Sequence, residues 1–149
     1  MKAVLISINP KWCKLIASGK KTVEVRKTKP KLETPFKVYI YCTKGLPTFT
    51  QSAFCDEISN GKVVGEFVCD RITKGNFYLK DACLTSEEYI AYCPYDAPYA
   101  WHISDLVIYD KPRESSEFKR FVDRSKGQRY HEDMLYLQRP PQSWSYVEV

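Results

Sequence analysis

Short strand-like segments recur along the chain without a regular alternation of strand and helix. Phe36, Val38 and Ile40 lie at every second position, a spacing that places them on one face of a strand. Similar segments cover residues 2–8, 62–69, 103–109 and 144–149. Gly65 interrupts one of them, which predicts a β-bulge and local curvature. A doubly wound sheet needs regular β-α-β units, so the pattern favours an α+β or barrel architecture.

The first predicted strand is followed by a short helix with recognisable ends. Asn9 offers an N-cap oxygen, and Pro10 suits the first helical position because its missing N–H is not needed there. Trp12 lies on the apolar face of this helix and is expected in the core. Gly19 can adopt the left-handed conformation that ends a helix, and a β-branched strand over residues 22–25 follows it.

Two further helices are expected in the second half of the chain. Thr85 and Glu88 have the spacing of a capping box, which predicts a helix from Ser86 towards Cys93. Another helix is predicted to start at Ser115 or Ser116 and to place Phe118, Phe121 and Val122 on one face.

Length and composition indicate one soluble globular domain over residues 1–149. Hydrophobic residues make up 44% of the chain and charged residues 28%. No apolar run approaches the roughly 18 residues of a membrane helix, and the apolar start is too short for a signal peptide. A cytoplasmic location is therefore expected. Residues 44–60 are predicted to form a loop with one helical turn.

The cysteines and histidines do not form a recognisable metal motif. The six cysteines are spaced broadly and irregularly, which favours free thiols in a cytoplasmic protein. No C-x-x-C or H-x-x-x-H pair occurs, and His102 and His131 are the only histidines. No metal or other cofactor is expected.

Positive charge is concentrated in the first third of the chain. Residues 1–44 contain eleven Lys or Arg and two acids, while the net charge of the whole chain is +5. Such a concentration is typical of a phosphate-binding face, where cations displace condensed counterions. A lysine-rich surface without a partner is the alternative.

A compact polar motif lies within this basic third, directly after the predicted helix end. Residues 19–26 read Gly-Lys-Lys-Thr-Val-Glu-Val-Arg, or G-x-K-x-x-E-x-R. This pattern resembles the motif of ASCH domains, which belong to the PUA-like group. The resemblance extends over most of the chain, through residues 61–67, 101–106 and 139–144, the last similar to a tail of phage-associated and bacterial members.

The resemblance implies a fold and a group of functions. The implied fold is a PUA-like mixed, mostly antiparallel β-barrel of about five to seven strands with short flanking helices. Members of the family are RNA-binding or RNA-processing proteins, and one branch hydrolyses the amide of N4-acylated cytidines. That branch has threonine at the position of Glu24, so this chain lacks the implied nucleophile there, although Thr22 is close in sequence.

Strand geometry decides which motif residues can meet. Ideal alternation places Lys20, Thr22, Glu24 and Arg26 on one side of the strand. Lys21 can join Glu24 only if the chain bends after the helix, as at a bulge. A solvated ion pair of Glu24 and Arg26, worth about 0–1 kcal/mol, is the non-functional alternative.

The leading prediction is that the chain binds RNA or a modified nucleoside through Lys21, Glu24 and Arg26. The residues expected to contact the nucleic acid, or to lie beside it, are Lys11, Lys20, Lys21, Glu24, Arg26, Tyr41, Trp101 and His102. Tyr41 and Trp101 are predicted as stacking platforms because they flank polar residues.

Two enzymatic alternatives use the same pocket. In an amidohydrolase, Lys21 would act as base or oxyanion stabiliser, with Glu24 activating water or Thr22 attacking. In a ribonuclease, Lys21 and Arg26 would stabilise charge on phosphorus while Glu24 or His102 moves a proton. A phage-associated adaptor with protein partners is a third alternative.

Overall fold

The computed structural model describes residues 1–44 and 60–149. The predicted loop over residues 44–60 lies almost wholly outside the described part. The described part of the chain contains six strands: β1 (Lys2–Ile8), β2 (Val23–Arg26), β3 (Phe36–Cys42), β4 (Lys62–Lys74), β5 (Tyr99–Arg113) and β6 (Trp144–Glu148). The α-helices are α1 (Pro10–Ala17), α2 (Leu79–Ala82), α3 (Ser86–Tyr92) and α4 (Glu132–Leu135). None of the helices in these ranges is long and apolar enough to cross a membrane.

The strands form one curled sheet in the order β2-β5-β4-β3-β1-β6. Every neighbouring pair is antiparallel except β1 and β3, in which Ile6 lies opposite Ile40. The sheet curls into a half-barrel with the short helices around it. The predicted mixed, mostly antiparallel barrel with short flanking helices is therefore confirmed.

The main core fills the concave face of this sheet. Alternate residues of β1 and β3 point into it, among them Ile6 and Ile40. Trp101 of β5 is fully buried there and makes an edge-to-face contact with Phe36, with ring centroids 6.0 Å apart. Trp144 also contacts the Trp101 ring, with centroids 5.9 Å apart. These aromatic contacts join β5 to β3 and to β6, neither of which is its neighbour in the sheet.

Gly65 provides the curvature that its position in the sequence predicts. The register between β4 and β5 shifts between Val63 and Gly65, as expected for a bulge. A Cβ atom at position 65 would collide with the carbonyl oxygen of Val107 on β5. Glycine is thus required because the two backbones approach too closely for any side chain.

The predicted ends of α1 and α3 are confirmed. The side chain of Asn9 accepts a hydrogen bond from the backbone N–H of Lys11, and Gly19 has a φ of 82°. At α3, the hydroxyl of Thr85 and the carboxylate of Glu88 complete the capping box. Local side-chain chemistry therefore determines both helix starts.

The helix predicted from Ser115 or Ser116 is wrong. A single 3-10 turn at Ser115–Glu117 is followed by extended chain, and Phe118 packs against Tyr39. The backbone N–H of Phe121 donates to Tyr146 of β6 instead of to a preceding turn. The edge of β6 therefore takes the hydrogen bonds that a helix would have used.

Candidate functional site

Lys21, Glu24 and Arg26 meet in one place, and we call these three residues the motif cluster. The ammonium of Lys21 lies 4.0 Å from Oε2 of Glu24, and Nε of Arg26 lies 3.4 Å from Oε1 of the same carboxylate. One carboxylate is thus held between two cations.

The chain bends between α1 and β2 to bring Lys21 to Glu24, as predicted. The backbone N–H of Lys21 donates to Leu15, which completes the helix end, and that of Thr22 donates to Asp81 of α2. Regular strand pairing begins only at Val23. The bend breaks the ideal alternation, so Lys21 joins the side of Glu24 while Thr22 does not.

The motif cluster is buried, which excludes the solvated ion pair proposed as an alternative. Lys21 is 3% exposed and Glu24 is 6% exposed. The ammonium of Lys21 donates to the carbonyl oxygen of Ala82 at 2.6 Å. Burial lowers the pKa of Lys21 below its usual value, and the nearby carboxylate of Glu24 opposes that effect.

One oxygen of the Glu24 carboxylate has an unused capacity to accept a hydrogen bond. Within the described part of the chain, Oε2 is buried and has no hydrogen-bond partner. Leaving a buried acceptor unsatisfied costs about 1–3 kcal/mol, so such an atom in a folded protein requires an explanation. An acceptor of this kind suits a ligand that brings its own N–H or O–H group.

Arg26 joins parts of the sheet that have no backbone ladder between them. Its Nη2 donates to the carbonyl oxygen of Ser7 in β1 at 2.7 Å, and its Nη1 donates to the hydroxyl of Ser143 at 3.1 Å. Strand β2 is thereby tied to β1 and to the residue preceding β6. The side chain closes the open side of the half-barrel beside the motif cluster.

Trp12 packs against the main core, in line with its predicted place, and its ring also borders the motif cluster. Its ring is partly buried, and the ammonium of Lys21 lies 4.9 Å from the ring centroid. The ammonium of Lys11 lies 4.5 Å from the same centroid and 3.8 Å from the carboxylate of Glu88. The helical period correctly placed Trp12 on the apolar face of α1, and the bend at Lys21 brings a second cation to its ring in addition to Lys11.

Helix α3 supplies a second aromatic residue near the cluster that the sequence did not indicate. Tyr92 is 36% exposed, and the ammonium of Lys27 lies 4.9 Å from its ring centroid. Burial raises the pKa of Tyr92, and the charge of Arg26 opposes this. No local pattern links residue 92 to residue 26, so only the tertiary fold reveals this neighbour.

The two aromatic residues predicted as stacking platforms are not available at the cluster. Trp101 lies opposite Glu24 in the sheet register but is fully buried in the core, so no base can stack on it. Tyr41 is 5% exposed and packs in a separate cluster with Leu5 and Val63. Alternation along β3 places Tyr41 on the face opposite Ile40, away from the main core.

His102 and Thr22 lie on the other side of β2 from the motif cluster. His102 pairs with Val23, and its Nε2 lies 3.1 Å from the hydroxyl of Thr73. Burial and the charge of Arg71 lower the pKa of His102. The predicted proton transfer by His102 and the predicted attack by Thr22 are therefore not possible in this geometry. Lys20 is exposed one residue before the cluster.

The described residues show no group of three or more His, Cys, Asp or Glu side chains able to hold a metal ion. The motif cluster itself has one carboxylate and two cations, and two fixed positive charges oppose a metal ion. Its charges favour an anionic or hydrogen-bonding organic ligand.

Comparison with curated proteins finds a relative of known family. The chain is 31% identical over 91 residues to the "ASCH domain-containing ribonuclease" of Zymomonas mobilis subsp. mobilis. The matched region covers 61% of this chain and 56% of that protein, so it spans little more than half of the relative's length.

Solved structures share the fold over nearly the whole chain. The crystal structure of ASCH from Zymomonas mobilis has a TM-score of 0.66 and 22% identity, and the match covers 98% of this chain and 87% of that one. A tyrosine-to-phenylalanine variant of that protein gives a TM-score of 0.67 at 22% identity, with coverage of 99% and 91%. The family model described as "ASCH domain" matches residues 6–113. The chain therefore belongs to the ASCH domain family.

Proposed function

We propose that this protein binds single-stranded RNA, with one unpaired nucleotide held at the motif cluster. The observation that carries the proposal is the buried oxygen Oε2 of Glu24, which lacks a hydrogen-bond partner in the described part of the chain. The amino groups of bases and the ribose 2′-hydroxyl are donors of the kind that this oxygen needs. The ribonuclease name of the Zymomonas mobilis relative supports RNA as the ligand.

The cations of the motif cluster suit the rest of a nucleotide. A guanidinium has five N–H donors, and Arg26 uses one on each of Nη1 and Nη2 for Ser143 and Ser7. One further N–H on each of these nitrogens is available for a phosphate or a base edge. Because the side chain is already fixed at three points, little conformational entropy is lost on binding.

Exposed lysines around the cluster provide sequence-independent contacts to phosphates. We call Lys11, Lys20, Lys27 and Lys29 the lysine rim, since all four are exposed and lie close to the cluster in sequence or space. Each phosphate neutralised on a single strand contributes about −0.7 to the slope of log affinity against log salt. The rim therefore predicts strongly salt-dependent binding.

A ribonuclease activity is the second candidate function, and the lowered pKa of Lys21 favours it. The carboxylate of Glu24 would take the proton of a ribose 2′-hydroxyl as that oxygen attacks phosphorus. The bond from phosphorus to the 5′-oxygen then breaks, and the Lys21 ammonium gives a proton to the leaving oxygen. The products are a 2′,3′-cyclic phosphate and a 5′-hydroxyl. Arg26 would stabilise the negative charge on phosphorus.

A modified nucleoside is a narrower choice of ligand for the same site. The Thr22 hydroxyl lies on the other side of β2 and not beside Glu24. Hydrolysis of an N4-acylated cytidine at the motif cluster would therefore need a water molecule activated by Glu24. Free N4-acetylcytidine and cytidine, used as competitors of RNA, distinguish this ligand from a nucleotide within a strand. Selective competition or turnover of N4-acetylcytidine would support the narrower choice.

Fluorescence anisotropy with a short labelled single-stranded RNA tests the binding proposal. We expect affinity to fall as salt rises, and Lys20→Ala/Lys27→Ala to reduce the salt slope by up to about 1.4, that is about 0.7 for each phosphate that is no longer neutralised. The matched control is Lys111→Ala/Lys126→Ala, which removes two exposed lysines outside the rim. Affinity that does not change with salt, or an equal loss in both variants, would contradict the proposal.

Glu24→Gln tests the specific contact and the cleavage candidate together. The substitution keeps the shape of the side chain and removes its charge, so a folded variant should bind RNA more weakly and should not cleave it. Circular dichroism verifies that the variant is folded at the assay temperature. Cleavage by the variant at the wild-type rate would remove Glu24 from the mechanism.

A further inference from the structure

A cavity lies on the face of β2 opposite the motif cluster, since Val23 lines it and the neighbouring Glu24 points to the other face. Arg71, His102 and Val23 form a row across β4, β5 and β2, because Arg71 pairs with His102 and His102 pairs with Val23. A cavity of about 520 Å³ lies over this row. We call it the outer cavity; its lining residues are Thr22, Val23, Asp70, Arg71, Asn76, Phe77, Tyr78, Asp81, His102 and Ile103.

Three charged side chains line the outer cavity. Within the described part of the chain, the side chains of Asp70, Arg71 and Asp81 form no ion pair within 4.0 Å and no hydrogen bond. Asp81 contributes to structure through its backbone, whose carbonyl oxygen accepts from Thr22. Two acceptor groups and one donor group thus converge on one space.

Two aromatic side chains, Phe77 and Tyr78, line the same cavity. Tyr78 is 73% exposed. Gly75 and Asn76 precede it with φ values of 62° and 54°, so the turn that presents the ring has a defined, left-handed backbone. Phe77 packs on the protein near Tyr89, with ring centroids 6.0 Å apart. Tyr78 therefore offers a ring to solvent beside a polar pocket.

We propose that the outer cavity holds a second unpaired base of the bound RNA, one that carries an amino group. This inference rests on the proposed RNA binding. Two carboxylates can each accept one N–H of an exocyclic amino group, whereas uracil has only its N3–H donor, with a carbonyl oxygen on either side that a carboxylate repels. Arg71 can donate to ring nitrogens or carbonyl oxygens. Tyr78 provides the stacking surface that single-stranded RNA recognition requires.

The position of the outer cavity relative to the motif cluster supports one strand reaching both. Thr22 and Val23 line the cavity, while Lys21 and Glu24 belong to the cluster on the opposite side of the same segment. Lys20 and Thr22 are exposed just before the start of β2. A strand that passes over this end can place successive bases on either side of it, with Lys20 near its phosphates.

Binding of homopolymeric oligoribonucleotides to Tyr78→Ala tests the stacking contact. Removing a stacking ring should weaken affinity by about 5- to 150-fold for every base, because all bases have a π-face. Tyr95→Ala is the matched control, since Tyr95 is 99% exposed and lies outside the cavity. Equal affinities of Tyr78→Ala and wild type would overturn the proposal.

The preference for oligocytidylate over oligouridylate tests the carboxylates. Wild type should prefer oligocytidylate by about fivefold or more, and Asp70→Ala/Asp81→Ala should reduce that ratio towards one. Asp110→Ala/Asp133→Ala removes the same charge from exposed positions elsewhere and should keep the ratio. The ratio of the affinities for oligocytidylate and oligouridylate, unlike either affinity alone, is insensitive to the change in net charge.

The outcomes separate this inference from the proposed function. Suppose that Tyr78→Ala and Asp70→Ala/Asp81→Ala bind RNA and prefer oligocytidylate as wild type does, while Glu24→Gln no longer binds RNA. The outer cavity is then not a base site, and the proposed function stands. If wild type itself binds no RNA, both fail.

Discussion

Glu24→Gln should destabilise the fold far more than the loss of an ordinary surface charge. At an effective dielectric constant of about 20, a charge pair at 4.0 Å is worth about 4 kcal/mol and one at 3.4 Å about 5 kcal/mol. Part of this attraction offsets the cost of burying Glu24, which is several kcal/mol. Removing one member of a buried group of charges leaves Lys21 and Arg26 uncompensated, so we expect a loss of about 3–5 kcal/mol in unfolding free energy.

The loss should become smaller as the pH rises. Burial lowers the pKa of Lys21 in the folded protein, and Glu24 is the largest influence that raises it again, so this pKa falls further in Glu24→Gln. Between the folded pKa and the unfolded value of about 10.4, the unfolded chain binds more protons, and stability therefore increases with pH. This window extends to lower pH in the variant. The difference in unfolding free energy between wild type and the variant should therefore become smaller as the pH rises from neutrality to about 10.4.

Urea denaturation at neutral and alkaline pH measures the loss of unfolding free energy in Glu24→Gln and the change of that loss with pH. A loss of about 3–5 kcal/mol corresponds to a fall in Tm of about 6–20 °C for a chain of this size. Glu132→Gln is the control, because its ion pair with Lys119 is at 2.9 Å but Glu132 is 67% exposed, and this variant should lose far less stability than Glu24→Gln. Similar losses for the two variants, or a Glu24→Gln deficit that grows with pH, would refute the reasoning.

Three further predictions concern the frame around the site. Gly65→Ala should cost about 1–3 kcal/mol in denaturation experiments, because the new Cβ meets the carbonyl oxygen of Val107; an unchanged midpoint would contradict the close approach. Thr85→Ala should cost about 1 kcal/mol by removing one half of the α3 capping box, measured in the same way. Burial raises the pKa of Cys69 to about 12, so iodoacetamide at about pH 8 or below should label it only after unfolding; labelling of the native protein would show that the thiol is accessible.

Local chemistry made much of the fold predictable. Asn9 and Thr85 start their helices with side-chain hydrogen bonds to the nearest turn, and a single sequence contains that information. Gly65 was likewise recognisable, since glycine inside a strand indicates a bulge or a close approach. The fold of the segment after Ser115 was not predictable, because its backbone hydrogen bonds go to distant parts of the chain, to Leu135 and Leu137 and to β6.

The motif cluster was predictable in its members but not in its surroundings. The spacing of Lys21, Glu24 and Arg26 required a bend, and the structure contains it. Trp101 and His102 are adjacent in a strand and must point to opposite faces, so both could not line one pocket. Which of them faces the core depends on the pairing of β5 with β2, and periodicity alone does not give that register.

The three-way attachment of Arg26 affects how homologous sequences are to be interpreted. Its guanidinium binds the carbonyl oxygen of Ser7 and the hydroxyl of Ser143 within the fold itself, so natural selection for stability alone would keep an arginine there. A lysine could not reproduce this planar, forked geometry despite its equal charge. Retention of this arginine in a distant relative is therefore weak evidence for a shared activity. The carboxylate of Glu24, whose oxygen Oε2 is buried without a hydrogen-bond partner in the described part of the chain, is the more informative group to follow across species.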